Sequence, residues 1–266
     1  MAGYSTVIHS VLVLGGIGLL CGIMLLVASK FFSTEVDPRV GELVKMLPGA
    51  NCGACGFAGC ARFAEDIIGG RSHPNTCKVL DDENAASISS FLGVEGSQHV
   101  RVVSILRCQG GNHVVQKRSE YHGIKSCRAA SLYAGGNKAC SYSCLGYGDC
   151  ISVCPFDAIQ YGEDGLVVID RAKCTGCGKC IPECPKSVLS LVPRSAQVSV
   201  ACFSKERGKK VSQVCKQGCI ACKRCEEACP LDAIHVEDNL ANIDYQKCDN
   251  CGQCVEACPT KSILRV

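Results

Sequence analysis

Apolar residues fall along this chain in one long run followed by many short ones. From Val11 to Ala28, 18 residues carry no charge and no strong side-chain hydrogen-bonding group, and Val7 and Ile8 extend the run. A helix of that length crosses the hydrocarbon layer of a bilayer with slight help from its flanks. Beyond it, residues 100–108 (VRVVSILRC) and 196–202 (AQVSVAC) alternate apolar with polar positions and predict strands. ARFAEDIIGG, after Cys60, predicts a short helix ended by Gly69 and Gly70. LDAIHV and TKSILRV each predict a turn followed by a strand. The expected fold class is small α+β behind a single N-terminal transmembrane helix.

The flanks of the long run bear on its fate. A cleaved signal peptide is the rival reading, but it asks for a basic n-region and a small-residue cleavage site. Residues 1–10 hold no Lys or Arg, whereas Lys30 and Arg39 follow the run. The positive-inside rule then leaves the rest of the chain in the cytoplasm, as a single-pass protein of the bacterial inner membrane. Gly18 and Gly22 have the spacing that lets helix backbones approach, although glycine is also ordinary in membrane spans. Cys21 reads as a small apolar packing residue.

Composition changes the picture through one residue type. There are 25 Cys in 266 residues. Such a density means disulfides in an oxidising compartment or metal ligands in a reducing one. Most lie two or three residues apart, as Cys174, Cys177 and Cys180 do, and neighbours that close converge on one metal centre more readily than they form separate disulfides. With few aromatics and no Trp, bound metal is expected to serve as the core of short segments.

The first group is Cys52-x2-Cys55-x4-Cys60, with Cys77 after sixteen further residues and Gly49, Gly53, Gly56 and Gly59 interleaved. Four thiols suffice for one [4Fe–4S] cluster, and glycines let the backbone present N–H groups to its sulfurs. A zinc knuckle is the alternative. Residues 219–230 (CIACKRCEEACP) and 248–259 (CDNCGQCVEACP) both match the C-x2-C-x2-C-x3-C-P run of two-cluster ferredoxins, whose fourth Cys serves the other cluster. The sets expected are Cys219, Cys222, Cys225 and Cys258, and Cys248, Cys251, Cys254 and Cys229. An earlier copy has one full run, Cys174, Cys177, Cys180 and Cys184, and one stretched run, Cys140-x3-Cys144-x5-Cys150-x3-Cys154. The same crossing gives Cys140, Cys144, Cys150 and Cys184 for one cluster, and Cys174, Cys177, Cys180 and Cys154 for the other. Tyr142 and Tyr147 lie in the stretched loop, with packing as their expected role.

The duplication extends outside the clusters. Each alternating strand ends in Cys and leads to another: Cys108 to Cys127, and Cys202 to Cys215. Two readings of these four stand side by side, buried thiols or the ligands of a sixth cluster formed where the copies pack. The domains expected are an anchor at 1–33, a 4Fe–4S domain at 34–93, a strand-containing connector at 94–134, a first ferredoxin module at 135–195, and a connector repeat with a second module at 196–266.

Charge and missing motifs narrow the function. The formal net charge of +3 turns to about −7 once five clusters bring about −2 each, which removes any case for nucleic acid. The chain has no Walker A loop and no Rossmann fingerprint, so NAD and flavin are expected on other proteins. The six His, His9 among them, do not pair at metal-ligand spacing. One apolar span without an acidic residue cannot by itself form an ion pathway.

The membrane anchor, NCGACGFAGC, GGNKACSYSCLGYGDCISVCPFDAI and the ferredoxin runs, in that order, resemble the B-type subunits of the Rnf electron-transport complex over nearly the whole chain. The counterpart in the SoxR-reducing complex shares much of this layout, and the module at 215–266 distinguishes the chain from shorter family members. NCGACGFAGC alone also resembles a small domain of corrinoid iron–sulfur proteins, but no cobalamin-binding region accompanies it. The resemblance implies an electron-relay subunit of an ion-translocating ferredoxin:NAD oxidoreductase, with no catalytic site of its own. It further implies partner subunits in the membrane and soluble ferredoxin as electron donor. The cysteine runs themselves predict five [4Fe–4S] clusters, or six with Cys108, Cys127, Cys202 and Cys215, and the C-terminal module, farthest in sequence from the anchor, is the expected docking site. The alternatives are the iron–sulfur subunit of another membrane oxidoreductase, of the formate dehydrogenase, hydrogenase or anaerobic reductase type, and a zinc-stabilised scaffold.

Overall fold

A computed structural model describes residues 2–31, 37–94 and 100–266. It divides into two compact units, residues 1–42 and 43–266.

The first unit is dominated by helix α1 (Ala2–Phe31). Within it Val11–Phe31, 21 residues, is long and apolar enough to cross a membrane, at about 1.5 Å per residue for a bilayer core of about 30 Å. Its large side chains are exposed, Leu20 at 71% and Leu25 at 70%. Such a surface is costly in water and favourable in lipid.

Helix α2 (Pro38–Met46) leads into the second unit, where Leu43 and Leu47 are buried. Helix α3 (Cys60–Ile68) follows, burying Phe63, Ala64 and Ile67, and it ends at Gly69 and Gly70 as the sequence predicts. After a single 3₁₀ turn (Pro74–Thr76), α4 (Asp82–Leu92) is capped by Asp81 Oδ1, which accepts from Asn84 N–H at 2.7 Å.

The rest is a duplication. The first copy runs β1 (Val102–Leu106), α5 (Cys127–Leu132), α6 (Asp149–Ser152), β2 (Ile159–Tyr161), β3 (Val167–Ile169), α7 (Cys180–Glu183) and β4 (Leu189–Pro193). The second runs β5 (Val198–Val200), α8 (Gly208–Val214), α9 (Arg224–Glu227), β6 (Ile234–Glu237), β7 (Leu240–Ile243), α10 (Gln253–Ala257) and β8 (Ile263–Arg265). In each copy the first strand pairs antiparallel with the last, β1 with β4 and β5 with β8, while the middle two form a hairpin.

The strand within 94–134, β1, is hydrogen-bonded along its length to β4, from Val102↔Pro193 to Leu106↔Leu189. An apolar strand needs a paired edge, and the end of its own module provides it. The first copy therefore runs from β1 through β4.

Two-stranded sheets are marginal on their own, and here they pack against the cysteine loops. Cys202, Cys219 and Cys225 share a core cluster with Val198, Ile234 and Ile263. Cys144, Cys150 and Cys180 do the same with Ile159, Val188 and Leu189. At Gly176, φ is +69° and a Cβ would stand 2.2 Å from the Val102 carbonyl oxygen, so the Cys174–Cys177 loop reaches β1 only without a side chain. Gly176→Ala is expected to lower the stability of the cluster-loaded protein by about 2 kcal/mol or more, from left-handed strain plus the backbone collision. Thermal unfolding under anaerobic conditions checks it, and an unchanged melting temperature would show that the loop has room to retreat.

Candidate iron–sulfur centres

The cysteines of the second unit stand around cavities rather than closing on points. Among the described residues no three His, Cys, Asp or Glu form a group fit for a single metal ion. Three partly open recesses of nearly equal size, with about 350, 360 and 340 Å³ of space between atoms, open solvent included, are each lined by four cysteines.

The 340 Å³ cavity is lined by Cys52, Cys55, Cys60 and Cys77. Asn51 Oδ1 accepts from Cys60 N–H at 2.8 Å and fixes the start of α3 at the ligand loop. Burial pushes the Cys77 thiol up, against peptide N–H groups of Val79 and Leu80 that favour its thiolate.

In the three full runs, thiols from different segments stand close enough to perturb one another. Burial first, then Cys219, Cys258 and Cys222, push the Cys225 thiol up to about 12. Burial, then Cys248, Cys229 and Cys251, push Cys254 up to about 11. Cys177 is raised by burial and, among other thiols, by Cys154 and Cys174; Cys180 is raised by burial and by Cys174 and Cys177. Thiols that crowd and raise one another in a dry site lose their protons once iron coordinates them.

Hydrogen-bond donors point at the sulfurs. Ser104, buried in the middle of β1, donates its N–H to Cys174 Sγ at 3.3 Å, and its hydroxyl lies 3.4 Å from Cys180 Sγ. Cys229 Sγ accepts from Ala233 N–H, and Cys258 Sγ from Ser262 N–H, each at 3.3 Å. The buried hydroxyl of Thr175, inside the Cys174–Cys177 loop, has no protein partner. An orphaned donor within a ligand loop fits a bound group with sulfur acceptors. The donor set, the dry cavities and the aimed N–H groups together fit [4Fe–4S] clusters.

The stretched run gathers differently from the expectation. The 360 Å³ cavity is lined by Cys127, Cys144, Cys150 and Cys184, with Cys127 where the spacing predicts Cys140. Burial and then Cys144, Cys127, Cys180 and Cys184 push Cys150 up to about 12. The cause is Asp149. Its carboxylate accepts from Cys127 N–H, Arg128 N–H and Ser126 Oγ, each at 2.9 Å, and so ties the start of α5 beside Cys150.

Superposing the two runs by spacing explains the need for this tie. Cys140, Cys144, Cys150 and Cys154 correspond to Cys215, Cys219, Cys225 and Cys229, and Tyr147 stands at the place of Cys222. The thiol missing at Tyr147 is supplied from α5. Tyr147 itself packs on Tyr121, with ring centroids 5.7 Å apart, in keeping with a packing role.

Cys140 joins the remaining thiols instead. The 350 Å³ cavity is lined by Cys108, Cys140, Cys202 and Cys215, with Cys140 in place of the expected Cys127. A short ladder causes this. Residues 115–117 pair on one side with the segment before Cys140, through Lys117↔Lys138 and Ala139 N–H to Gln116 O at 2.8 Å. They pair on the other side with the second copy, through Val115↔Cys215 and Gln116 N–H to Val214 O at 2.9 Å. Asp149 beside Cys150, and Ser126 as a helix cap just before Cys127, are the signals in the sequence that point to Cys127.

Comparison with known families finds iron–sulfur domains along the second unit. A putative Fe-S cluster family matches residues 47–79. The LdpA Fe-S cluster-binding domain matches 149–194, and 4Fe-4S dicluster domains match 173–233 and 213–259. The B-type subunit of the ion-translocating oxidoreductase complex of Methanosarcina acetivorans is 44% identical over 243 residues, 91% of this chain and 92% of that protein. Its counterpart in the Na⁺-translocating ferredoxin:NAD⁺ oxidoreductase complex of Acetobacterium woodii is 45% identical, over 88% of this chain and 71% of its own length. The counterpart in the proton-translocating ferredoxin:NAD⁺ oxidoreductase complex of Clostridium ljungdahlii is 41% identical, over 90% and 85%. With this identity along nearly all its length, the chain belongs to the family of B-type subunits of Rnf-type ion-translocating oxidoreductase complexes.

Proposed function

We propose that the chain takes single electrons from a soluble ferredoxin in the cytoplasm and relays them to partner subunits of an ion-translocating ferredoxin:NAD oxidoreductase in the bacterial inner membrane. The grouping of the thiols supports five [4Fe–4S] clusters. Their ligands are Cys52, Cys55, Cys60 and Cys77; Cys127, Cys144, Cys150 and Cys184; Cys154, Cys174, Cys177 and Cys180; Cys219, Cys222, Cys225 and Cys258; and Cys229, Cys248, Cys251 and Cys254. When bound, each cluster accepts and returns one electron. The chain holds them in place, excludes water and sets their potentials through N–H and O–H donors to sulfur. It offers no nucleotide or nucleic-acid motif, so NAD and flavin belong to the partner subunits.

The observation that carries this reading is the contiguity of the thiol groups. Cys177 feels Cys52 of the first site, and Cys150 feels Cys180 of the next. The C-terminal pair of sites exchange their fourth ligands, as the neighbours of Cys225 and Cys254 indicate. Lys30, just after the apolar run, supports a cytoplasmic location for the cluster domains.

Electrons enter at the C-terminal module. Among the described cysteines outside α1, Cys222 and Cys251 alone are exposed. Lys223 and Arg224 are exposed beside Cys222, and Arg265 Nη2 donates to Cys251 O at 2.9 Å. A cationic rim around two exposed ligands suits the acidic face of a ferredoxin.

Two outcomes follow. Lys223→Glu combined with Arg224→Glu should slow reduction by reduced ferredoxin about tenfold at low salt, with the difference shrinking as salt rises. Iron content and reduction by dithionite should not change. Stopped-flow reduction at two ionic strengths measures this, and equal rates at low salt would remove the docking site. Separately, Ser104→Ala deletes a donor to Cys180. A thiolate with less hydrogen bonding makes its cluster harder to reduce, so one couple in an EPR-monitored redox titration should move down by up to about 40 mV, the equivalent of about 1 kcal/mol. A titration identical to wild type would mean that the hydroxyl does not face the cluster.

A further inference from the structure

We propose that Cys108, Cys140, Cys202 and Cys215 hold a sixth [4Fe–4S] cluster, set at the seam between the two ferredoxin copies and joining their electron paths. This inference rests on the relay reading and adds the element that makes the relay continuous.

The cavity itself is the first argument. In size it matches the other two four-cysteine recesses, whose thiols, Cys127 apart, come from cluster motifs. Its walls include the apolar side chains of Val115, Phe203 and Val211.

The second argument is symmetry. Cys108 and Cys202 each stand two residues past the outer strand of their copy, after β1 and β5. Cys140 and Cys215 each stand four residues before the first ligand of their module, Cys144 and Cys219. The site is therefore built from two equivalent pairs, one from each copy. Contacts across the seam hold the pairs together: Gln109 Nε2 donates to Lys261 O at 2.7 Å, and the Arg107 guanidinium lies 5.2 Å from the centre of the Phe203 ring.

The third is the supply of donors and charge. Cys108 Sγ accepts from Gly110 N–H and Cys144 N–H, each at 3.3 Å. Peptide N–H groups of Tyr142 and Ser143 serve Cys140, those of Ser204 and Cys219 serve Cys202, and those of Gln217 and Gly218 serve Cys215. Cys108 thus has two backbone donors, as suits a ligating sulfur, and peptide N–H groups favour the thiolates of the other three. Lys138 is 3% exposed, and its Nζ donates to Gly110 O at 2.7 Å. Its charge favours the thiolates of Cys108, Cys144 and Cys215. A buried ammonium is costly unless anions face it, and ligating thiolates are the anions this seam provides.

The position explains the use. Cys144, in the first-copy run, donates its N–H to Cys108 at 3.3 Å, and the Cys219 N–H, in the second-copy run, favours the Cys202 thiolate. The seam thus adjoins a neighbouring centre on each side. The seam cluster thereby bridges the cluster pair of one copy to that of the other.

The test uses the full-length protein purified anaerobically in detergent, with iron, acid-labile sulfide and EPR spin count per chain. Wild type should hold about 24 iron and as much sulfide, and the Cys202→Ser, Cys215→Ser double variant about 20, with one spin fewer on full reduction. Cys21→Ser, in the membrane helix, should stay at the wild-type count. A wild-type count of about 20, unchanged in the double variant, would overturn the sixth cluster while leaving the relay intact. Should the double variant fail to fold, Lys138→Gln decides. It should keep the wild-type iron content and shift one couple to a more negative potential, and a titration with no couple moved would count against the site. Zinc in place of iron would overturn the relay reading itself.

Discussion

Each run of neighbouring cysteines in the second unit is met by a cysteine from outside the run, and the path of the backbone follows from that requirement. Cys77 returns to Cys52, Cys55 and Cys60 from beyond α3. Cys258 crosses to Cys219, Cys222 and Cys225, while Cys229 crosses the other way to Cys254 and its neighbours. A crossed pair cannot form unless both halves of a module are folded against each other. The antiparallel pairing of first strand with last, β1 with β4 and β5 with β8, is the backbone counterpart of the same closure.

The energetics follow from this arrangement. The largest fully buried side chains in the second unit are Phe63 and a set of Leu, Ile and Val, and several core positions are cysteines. Sheets of two strands and helices of four or five residues, such as α6, α7, α9 and α10, bury little apolar surface by themselves. Burial drives the thiols of Cys108, Cys150 and Cys225 up to about 12, so ligation by iron has to displace a proton from each. Ligation converts the same residues into the most strongly bonded part of the core. Folding and cluster binding are then one equilibrium, as in other small metal-dependent domains.

How much of a site is legible in the sequence depends on how many segments it draws upon. Where three cysteines come from one run and a single one from its partner, as in both C-terminal sites and in Cys154 with Cys174, Cys177 and Cys180, the spacing is enough to group them. The site of Cys127, Cys144, Cys150 and Cys184 draws on three segments, and its spacing misleads because Tyr147 occupies the position where a thiol belongs. Nothing in the spacing tells which distant cysteine replaces it; a carboxylate one residue before Cys150 does. The site of Cys108, Cys140, Cys202 and Cys215 draws on four segments and depends on the ladder at 115–117, whose polar, irregular sequence carries no strand pattern. The 4Fe-4S dicluster match over 173–233 has a related ambiguity, since it spans runs from different copies.

The exchange of Cys140 for Cys127 also bears on how a duplicated module acquires a new site. In the second copy the run Cys219, Cys222, Cys225 is completed by Cys258, which leaves Cys215 without a role in its own module. In the first copy Cys144 and Cys150 are served by Cys127, which leaves Cys140 in the equivalent position. Both copies therefore present one spare thiol before the run and one after the outer strand, and the seam brings the two spare pairs together. The arrangement needs the copies to be adjacent, and the contacts of Arg107 and Gln109 with the second copy hold them so. A single module with the same residues has only half of the seam site. The capacity to connect two cluster pairs into one path is thus a property of the duplication, encoded in the four cysteines that neither copy needs for its own pair.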